Sequence, residues 1–421
     1  MSLPWLPALD GADRALCEAA TQSPSNDETW DRFRRHFFPG ERLNLNPGTL
    51  GTPSTRVQEC MARFHDNEWN AFPLGQYRRG REALREARAA ALRLWHNAPF
   101  DNVPIAVTQG STFTMNLVTL ALHGTLQSHP IRVLATQHEH HGGIGGFEHH
   151  SGFAVHHLPD EALSPGGAFE EQLRAVNPAV VLISQVTYTE GRILPIEALC
   201  DAISAHAPEA FVILDLSQGT GLLPPPVELI ARGAADLMVT SAHKWLNGPA
   251  GTGFLWASER ARKLIAALQY AGEPLDPEAP LCRFEPAGGQ DFSVFAGLWR
   301  ALELRELLTE EVIAGRSAAL ARHFMQVLAD TIDLDAAGCA FVDPAKVAGT
   351  LCLSFAGSDP YPIYVELNEG GVHTKCVKGQ LAGGRELRIL RLGFPFYESR
   401  ERVGEAAGRV ATAISRGYAR T

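Results

Sequence analysis

The segment VTSAHKWLNGPAGTGFLW (residues 239–256) joins an apolar run to a glycine-rich loop. At the junction stand Ser241, His243 and Lys244, which bring a hydroxyl, an imidazole and an amine within four residues. A lysine held in a partly desolvated site near other cations has a lowered pKa, and its neutral amine is a nucleophile. The segment therefore predicts Lys244 as a residue that forms an imine with a carbonyl compound. A surface lysine beside a turn is the competing interpretation.

A second segment, TQGSTFTMN (residues 108–116), follows an apolar run and opens a helical pattern. Gly110 allows the chain to turn, and Ser111 and Thr112 then place hydroxyls and free backbone N–H groups at the helix N-terminus. Such a terminus binds phosphate. An ordinary N-cap is the simpler interpretation of this segment by itself.

Two further segments place polar residues directly after apolar runs. ILDLSQGTG (213–221) carries Asp215 at the end of its run and Gln218 three residues later, and a carboxylate so placed needs a cationic partner. HEHHGG (138–143) carries three histidines. The spacing lacks the second half of a zinc motif, so the sequence predicts no metal, and a histidine stacked on a planar ligand fits this position better.

Together these residues match the requirements of one cofactor, pyridoxal 5'-phosphate. A lysine amine forms an imine with its aldehyde, a carboxylate such as Asp215 pairs with its protonated ring nitrogen, and a helix N-terminus holds its phosphate. Ser241 and His243 are placed to reach the phosphate. The sequence therefore predicts that Lys244 binds pyridoxal phosphate.

The elements that must position these residues alternate along the chain. Continuous apolar strands separated by helices predict an α/β fold with a mostly parallel sheet covered on both faces, and ligands bind at the carboxyl ends of such strands. The strand-like runs are PIAVTQ, IRVLATQ, FAVHHL, AVVLISQV, AFVILDLS, DLMVTS and GTGFLW.

The predicted large, cofactor-binding domain covers residues 46–308, and a smaller α+β domain comprises residues 1–45 and 309–421. Within the large domain, residues 75–97 predict one amphipathic helix. Its five arginines between Arg78 and Arg88 are interpreted as a solvated face.

Composition limits the partners and the compartment. The formal net charge of -10 argues against nucleic acid and anionic membranes as partners, and no apolar run reaches the length of a membrane span. The N-terminal segment lacks the pattern of a signal peptide. Seven dispersed cysteines without a C-x-x-C pair indicate free thiols in the cytoplasm.

Taken together, the segments resemble the class V aminotransferase family of fold type I pyridoxal-phosphate enzymes. That family includes cysteine desulfurases, isopenicillin N epimerase-like proteins and, more distantly, kynureninases. SAHKWLNGPAGTGFL resembles the Schiff-base segment and is the most specific match, while TQGSTFTMN resembles the phosphate loop. ATQHEHHGG resembles the segment whose histidine stacks on the ring, which implies His140 as a catalytic residue beside Lys244 and Asp215. DLSQ implies Asp215 and Gln218 as cofactor contacts.

The resemblance also implies residues at the substrate side. LNLNPGTLGTPS places Gly48 near the site, ISQVTYTEGRILPI places Tyr188 there, and RLGFPFYESRERV implies that Arg391 holds the substrate α-carboxylate. A guanidinium fork suits a carboxylate geometrically. AGGQDFS resembles the segment that reaches the phosphate of the partner subunit, which implies a homodimer with shared active sites. Gly289 stands where the family has threonine, so only its backbone N–H remains for that contact.

The resemblance implies an enzyme acting at the α-amine and Cα of an amino acid or amino-acid-like metabolite, of the aminotransferase or C–S lyase type. Transamination, elimination and epimerisation share a first proton transfer to Lys244, so the sequence leaves them open. An epimerase or kynureninase-like hydrolase is the alternative within the family, and a non-catalytic sensor of the cofactor is the alternative from another class. Cys376 in GGVHTKCVKG comes too early for the mobile cysteine of desulfurases and is interpreted as a structural thiol.

Overall fold

The computed structural model of the chain describes residues 3, 5–6, 8–65, 73–95, 103–126, 130–265, 274–344, 348–381 and 384–418. The strands are β1 (Leu43–Asn44), β2 (Ile105–Thr108), β3 (Ile131–Thr136), β4 (Phe153–Leu158), β5 (Val180–Ser184), β6 (Phe211–Asp215), β7 (Leu237–Ser241), β8 (Gly253–Ala257), β9 (Cys339–Phe341), β10 (Thr350–Phe355), β11 (Val372–His373), β12 (Lys375–Gln380) and β13 (Glu386–Gly393).

The helices are α1 (Gly11–Gln22), α2 (Asp27–Phe37), α3 (Thr55–Phe64), α4 (Pro73–Trp95), α5 (Ser111–Thr125), α6 (His141–His149), α7 (Gly167–Val176), α8 (Ile196–His206), α9 (Val227–Ala231), α10 (Glu259–Leu264), α11 (Ser293–Leu308), α12 (Glu310–Thr331), α13 (Tyr361–Glu369) and α14 (Arg400–Tyr418). None of the helices in the described part of the chain is long and apolar enough to cross a membrane.

Seven strands form one large sheet in the order β2-β8-β7-β6-β5-β3-β4. β8 runs antiparallel to both of its neighbours, and the other neighbouring pairs are parallel. The predicted mostly parallel seven-stranded sheet is therefore confirmed. The strand-and-helix alternation of the sequence produces it, because parallel neighbours require a crossover connection that is usually a helix.

Both faces of this sheet are covered, and β5 shows how. Val181 and Ile183 pack into one apolar cluster with Leu199 of α8, whereas the alternate residues Val180 and Leu182 pack into a second cluster. Successive strand residues point to opposite faces, so every residue of β5 is buried. Helices α3, α4, α7, α8 and α11 contribute to the first cluster, and α5, α6 and α10 contribute to the second.

A smaller antiparallel sheet, β12-β13-β10-β9, packs against α12, α13 and α14 through its own apolar cluster. β1 pairs with β11 of this part of the chain, with Leu43 opposite Val372. The pairing covers Leu43 and Asn44 only, so the assignment of residues 1–45 to the smaller domain stays a prediction. The domain limits at residues 45/46 and 308/309 stay a prediction.

The arginine face of α4 differs from its prediction. Arg78 is mostly exposed, but the side chain of Arg88 is only 11% exposed and pairs with both Asp276 and Glu285. Arg85 also pairs with Asp276. The interpretation of a solvated face was wrong for Arg88, because its acidic partners come from a segment about 190 residues further along the chain.

Candidate active site

Most of the predicted site residues follow β2, β3, β5, β6 and β7, whose carboxyl ends lie at one edge of the large sheet. This edge is where ligands bind in open α/β sheets. Arg391 and Gly48 come from outside the sheet, and the contacts described below bring them to the same edge.

Lys244 lies in the turn after β7 and is only 8% exposed. Burial lowers the pKa of its amine to about 8, the charge of Asp215 opposes that change and the cation of Arg391 adds to it. The backbone of the turn is held from the N-terminal segment, since Gly51 donates its N–H to the carbonyl of His243 at 2.8 Å. The turn thus presents a buried amine whose protonation changes near neutral pH.

Arg305, a residue that the sequence interpretation missed, holds the same turn from α11. Its side chain is buried, and it donates to the carbonyl oxygens of Trp245 at 3.0 Å and Gly221 at 2.6 Å. It also pairs with Glu310. No local signal identifies this role, because an arginine in a helical pattern is ordinarily exposed.

Asp215 is the last residue of β6 and is 5% exposed. Its Oδ1 accepts a hydrogen bond from the backbone N–H of Ser217 at 2.8 Å. A Cβ at Gly143 would lie 3.2 Å from its Oδ2, so the start of α6 approaches this oxygen closely. The Asp215 charge acts on the pKa of both Lys244 and His140, in each case favouring the protonated form.

Ser241, His243 and the start of α5 come together as predicted. Gly110 has a φ of +98°, and the backbone N–H of Ser111 donates to Ser241 Oγ at 3.0 Å. A Cβ at Gly110 would lie 3.3 Å from His243 Cε1, so the glycine lets the loop approach the ring. His243 Nδ1 is buried and has no hydrogen-bond partner among the described residues.

His140 is the N-cap of α6, and its Nδ1 accepts a hydrogen bond from the N–H of Gly142 at 2.9 Å. Burial and the cation of Lys244 lower the pKa of His140 to about 4, so the ring is neutral near pH 7. The ring lies 4.5 Å from that of Tyr188 at an angle of 75°. A Cβ at Gly142 would clash with Thr112 Oγ1, so the start of α6 lies directly beside the start of α5.

Arg391 and Gly48 meet Gln218 at the other side of the site. Gln218 Nε2 donates to the carbonyl of Gly48 at 3.0 Å, and a Cβ at Gly48 would lie 3.4 Å from Arg391 Nη2. Arg391 is 4% exposed, and its Nη1 donates to the carbonyl of Tyr188 at 2.8 Å. Its Nη2 is buried without a partner in the described part of the protein, which leaves a donor available to a ligand.

Gly289 has a φ of +83°. The next residue, Gln290, accepts a hydrogen bond from Gln109 Nε2 at 2.8 Å, so this segment lies beside the Gly110 loop of its own chain. The predicted contact of Gly289 with the phosphate of a partner subunit stays a prediction.

Cys376 lies on β12 opposite Leu390 and is half-buried. Burial and the charge of Asp359 raise the pKa of its thiol, which opposes formation of the nucleophilic thiolate. Its neighbour Lys375, rather than Cys376 itself, stands opposite Arg391. These features are those of a structural thiol.

The residues present fit pyridoxal phosphate. A buried amine, a buried carboxylate and two buried nitrogens without partners in the described residues, His243 Nδ1 and Arg391 Nη2, converge at one sheet edge. At Gly110 and Gly143 a side chain would crowd His243 and Asp215 respectively. In the described residues, no group of three histidine, cysteine or acidic side chains is arranged to hold a metal ion.

Known proteins of similar sequence include two curated relatives. The chain is 25% identical over 402 residues to a putative cysteine desulfurase, IscS 1, of Bacillus subtilis, covering 89% of this chain and 99% of that protein. It is 26% identical over 324 residues to the isopenicillin N epimerase of Streptomyces clavuligerus, covering 72% and 78% of the two chains.

Among solved structures, the complex of the cystine C–S lyase C-DES with cysteine persulfide matches with a TM-score of 0.73 at 20% identity. The match covers 89% of this chain and 99% of that one, and it shows a shared fold. The model of the family described as aminotransferase class-V matches residues 43–405. The predicted family, its fold type and its pyridoxal-phosphate dependence are thereby confirmed. The chain belongs to the class-V aminotransferase family.

Proposed function

We propose that the protein is an enzyme that uses pyridoxal phosphate to act at the α-amine and Cα of an amino acid or amino-acid-like metabolite. The observation that carries the proposal is the burial of Lys244 together with Asp215 and Arg391, whose charges both act on its amine. When bound, the cofactor supplies an aldehyde and a ring that withdraws electrons from the substrate Cα.

Lys244 is suited to proton transfer. Its pKa of about 8 leaves a useful fraction of neutral amine near neutral pH, whereas an ordinary lysine is almost wholly protonated there. The best general base has a pKa near the operating pH. We therefore assign to Lys244 the removal of the proton from the substrate Cα and its return.

Asp215 is suited to holding the ring nitrogen of the cofactor in its protonated form. Its Oδ1 is occupied by the N–H of Ser217, which fixes the carboxylate plane and leaves Oδ2 for a cationic partner. A neutral His140 stacks without adding positive charge to the site. The Ser111, Ser241 and His243 group would hold the phosphate at the N-terminus of α5.

Arg391 is suited to binding the α-carboxylate. A buried guanidinium with a free nitrogen edge favours a carboxylate partner, because two parallel N–H···O bonds match its geometry. Tyr188 holds the guanidinium in place, since its ring lies 4.8 Å from the guanidinium carbon and its carbonyl accepts from Nη1. This arrangement selects substrates with a carboxylate next to the reacting amine.

The type of reaction is proposed as aminotransferase or C–S lyase. Curated relatives are named as cysteine desulfurases and as an epimerase, and a structural neighbour is a cystine C–S lyase. Relay of sulfur through Cys376 or Cys352 finds no support, since burial raises the thiol pKa of Cys376, and that of Cys352 to about 12. A C–S lyase that releases its product directly needs no such thiol.

The homodimer is also part of the proposal. Large apolar side chains remain exposed near the site edge, including Leu50 and two residues of α5, Phe113 and Leu120. Exposed apolar side chains of this size favour a protein interface. A cytoplasmic location is supported by seven unpaired cysteines.

The experiment is a spectral and product survey. The purified protein is loaded with pyridoxal phosphate and mixed with a panel of amino acids, including cysteine and cystine, and the products are identified by mass. We expect a spectral change with some amino acids and release of a keto acid, pyruvate or a sulfur product. Spectral changes without any product would favour the sensor, and a racemised substrate would favour the epimerase.

A further inference from the structure

We propose that Glu139 is a positioning residue for Asp215: its carboxylate adds negative charge beside Asp215 and thereby keeps the ring nitrogen of the bound cofactor protonated. The proposal rests on the proposed function, because it concerns the ring that withdraws electrons from the substrate. Glu139 stands between His138 and His140 in the HEHHGG segment, and the sequence interpretation assigned it no role.

Hydrogen bonds hold the Glu139 carboxylate between two strands of the large sheet. Its Oε1 accepts from Thr136 Oγ1 at 2.7 Å, at the end of β3, and from the N–H of Ser184 at 2.9 Å, at the end of β5. Its Oε2 accepts from Ser184 Oγ. The residue is 7% exposed, so the carboxylate is fixed in a nearly solvent-free position.

Ser184 brings this carboxylate to Asp215. In the parallel pairing of β5 and β6, Ser184 stands directly opposite Asp215. Register partners on neighbouring strands point to the same face of a sheet, so the residue that holds Glu139 is the lateral neighbour of Asp215. The two carboxylates interact electrostatically, and the charge of Asp215 raises the pKa of Glu139.

The pKa of Glu139 is raised toward neutral pH. Burial raises its pKa to about 7, against its hydrogen bonds to Ser184 and Thr136, which lower it. The other charged or titratable groups around the site include Lys244, His140, His243 and Arg391, and His138 adjoins Glu139 in the chain and pairs with Asp160. Lys244 and His140 interact directly with Asp215. Ionised Glu139 therefore adds a second negative charge beside the Asp215 carboxylate. The two charges together favour a cation at the position that Asp215 contacts.

A purely structural role makes a different prediction. If Glu139 only joined β3 to β5, Glu139→Gln would alter stability and leave the acidity of the cofactor ring unchanged. Glu139→Gln has nearly the same shape and removes the charge, whereas Glu139→Asp keeps the charge. A matched control is Asp236→Asn, since Asp236 is a buried carboxylate that precedes β7 at the opposite edge of the same sheet.

The experiment measures the ring nitrogen directly. Cofactor labelled at that nitrogen is bound to wild type and to each variant, and its NMR shift is followed with pH. We expect the midpoint of proton loss to fall by about one pH unit in Glu139→Gln, the order of magnitude for two charges several ångströms apart at an effective dielectric constant near 20. Glu139→Asp should restore most of the shift, and Asp236→Asn should not move the midpoint.

An equal midpoint in wild type and Glu139→Gln, or an equal shift in Asp236→Asn, would overturn the role of Glu139. Failure of the wild type to bind the cofactor would instead contradict the proposed function itself.

A second measurement uses the protein without cofactor. Because the folded-state pKa of Glu139 is raised from its ordinary value near 4.5, the stability that its protonated form contributes is complete below about pH 4.5 and is lost as the pH rises through about 7. The thermal midpoint of wild type should therefore fall more between pH 5 and 8 than that of Glu139→Gln. Identical pH dependence, together with an unchanged ring-nitrogen midpoint in Glu139→Gln, would show that Glu139 stays neutral in this range, against the proposal.

Discussion

Arg391 and Tyr188 make two contacts with each other, although 203 residues separate them in the chain. The guanidinium lies 4.8 Å from the centre of the phenol ring, and Nη1 donates to the Tyr188 carbonyl at 2.8 Å. The ring contact and the hydrogen bond together hold the guanidinium in place, while Nη2 has no partner within the described structure. The contact thus holds Arg391 in place and leaves Nη2 as a free donor.

Arg391→Lys is expected to impair reaction with α-amino acids although it keeps the positive charge. Lysine offers a point charge in place of two parallel donors and loses the flat contact with Tyr188. The loss should be large in kcat/KM for amino acids and small for the corresponding amines without a carboxylate. Steady-state kinetics on both substrate types measure it.

The matched control for that variant is Arg388→Lys. Arg388 lies three residues earlier on β13 and pairs with Glu386 at the surface. The Arg388→Lys variant should have the kcat/KM of the wild type on both substrate types. Equal losses from the two variants, or equal losses on both substrates, would remove Arg391 from the substrate site.

Lys244→Ala is expected to abolish the visible absorption band of the lysine-linked cofactor. Alanine has no amine, so the cofactor can bind only through its noncovalent contacts. Absorbance of the purified protein and borohydride reduction followed by peptide mapping measure the linkage. Labelling at another lysine in the wild type would show that Lys244 is not the attachment point.

The lowered pKa of Lys244 predicts an unusual dependence of stability on pH. The folded-state pKa is about 8 and the ordinary value is 10.5, so the unfolded chain binds the extra proton between these values. Stability therefore rises with pH across this window, by up to about 3 kcal/mol. Urea unfolding of cofactor-free protein should show this rise in wild type and not in Lys244→Met.

Lys263→Met controls for changes elsewhere at alkaline pH, because the Lys263 side chain is 74% exposed. This variant should retain the rise in stability. Loss of the rise in Lys263→Met, or its persistence in Lys244→Met, would mean that another group causes it.

Asp215→Asn is expected to retain the cofactor and to lower turnover by at least about 10-fold. The amide keeps the shape of the carboxylate and removes the charge that holds the ring nitrogen protonated. A charge-assisted hydrogen bond contributes about 1.5–3 kcal/mol, which corresponds to this factor or more. Cofactor content and kcat should be measured together, and unchanged kcat at full cofactor content would place Asp215 outside the reaction.

Cys376→Ser is expected to leave turnover unchanged. The thiol is half-buried on β12 and its pKa is raised, so it does not supply a thiolate at neutral pH. Cys282→Ser, a similar change at another half-buried thiol, is the control. Selective loss of sulfur transfer in Cys376→Ser would restore the desulfurase mechanism with a cysteine relay.

Much of the site could be read from the sequence because its residues follow apolar strands. Lys244, Asp215, Ser111 and His140 each come within a few residues of a strand end, and parallel strands bring those ends to one edge. Local composition therefore determined the α/β fold, the large sheet and the type of cofactor. The Lys244 segment also carried the most specific resemblance to the family.

Long-range contacts could not be read in this way. The arginines of α4 find their acidic partners about 190 residues away, and Arg305 holds the Lys244 turn from a distant helix. Whether a charged side chain is buried and paired depends on what packs over it, which local patterning does not encode. For that reason the prediction for Arg88 of α4 was wrong and Arg305 was not predicted.

By itself, the sequence determined which residue types stand at the strand ends, and hence the cofactor chemistry they allow. Only the tertiary structure decided how those groups are protonated and aimed. Burial lowers the pKa of the Lys244 amine to about 8. Tyr188 orients Arg391, and the pairing of Ser184 with Asp215 brings Glu139 beside the site. Each of these depends on the loss of solvent around a charge, which arises only when the chain is folded.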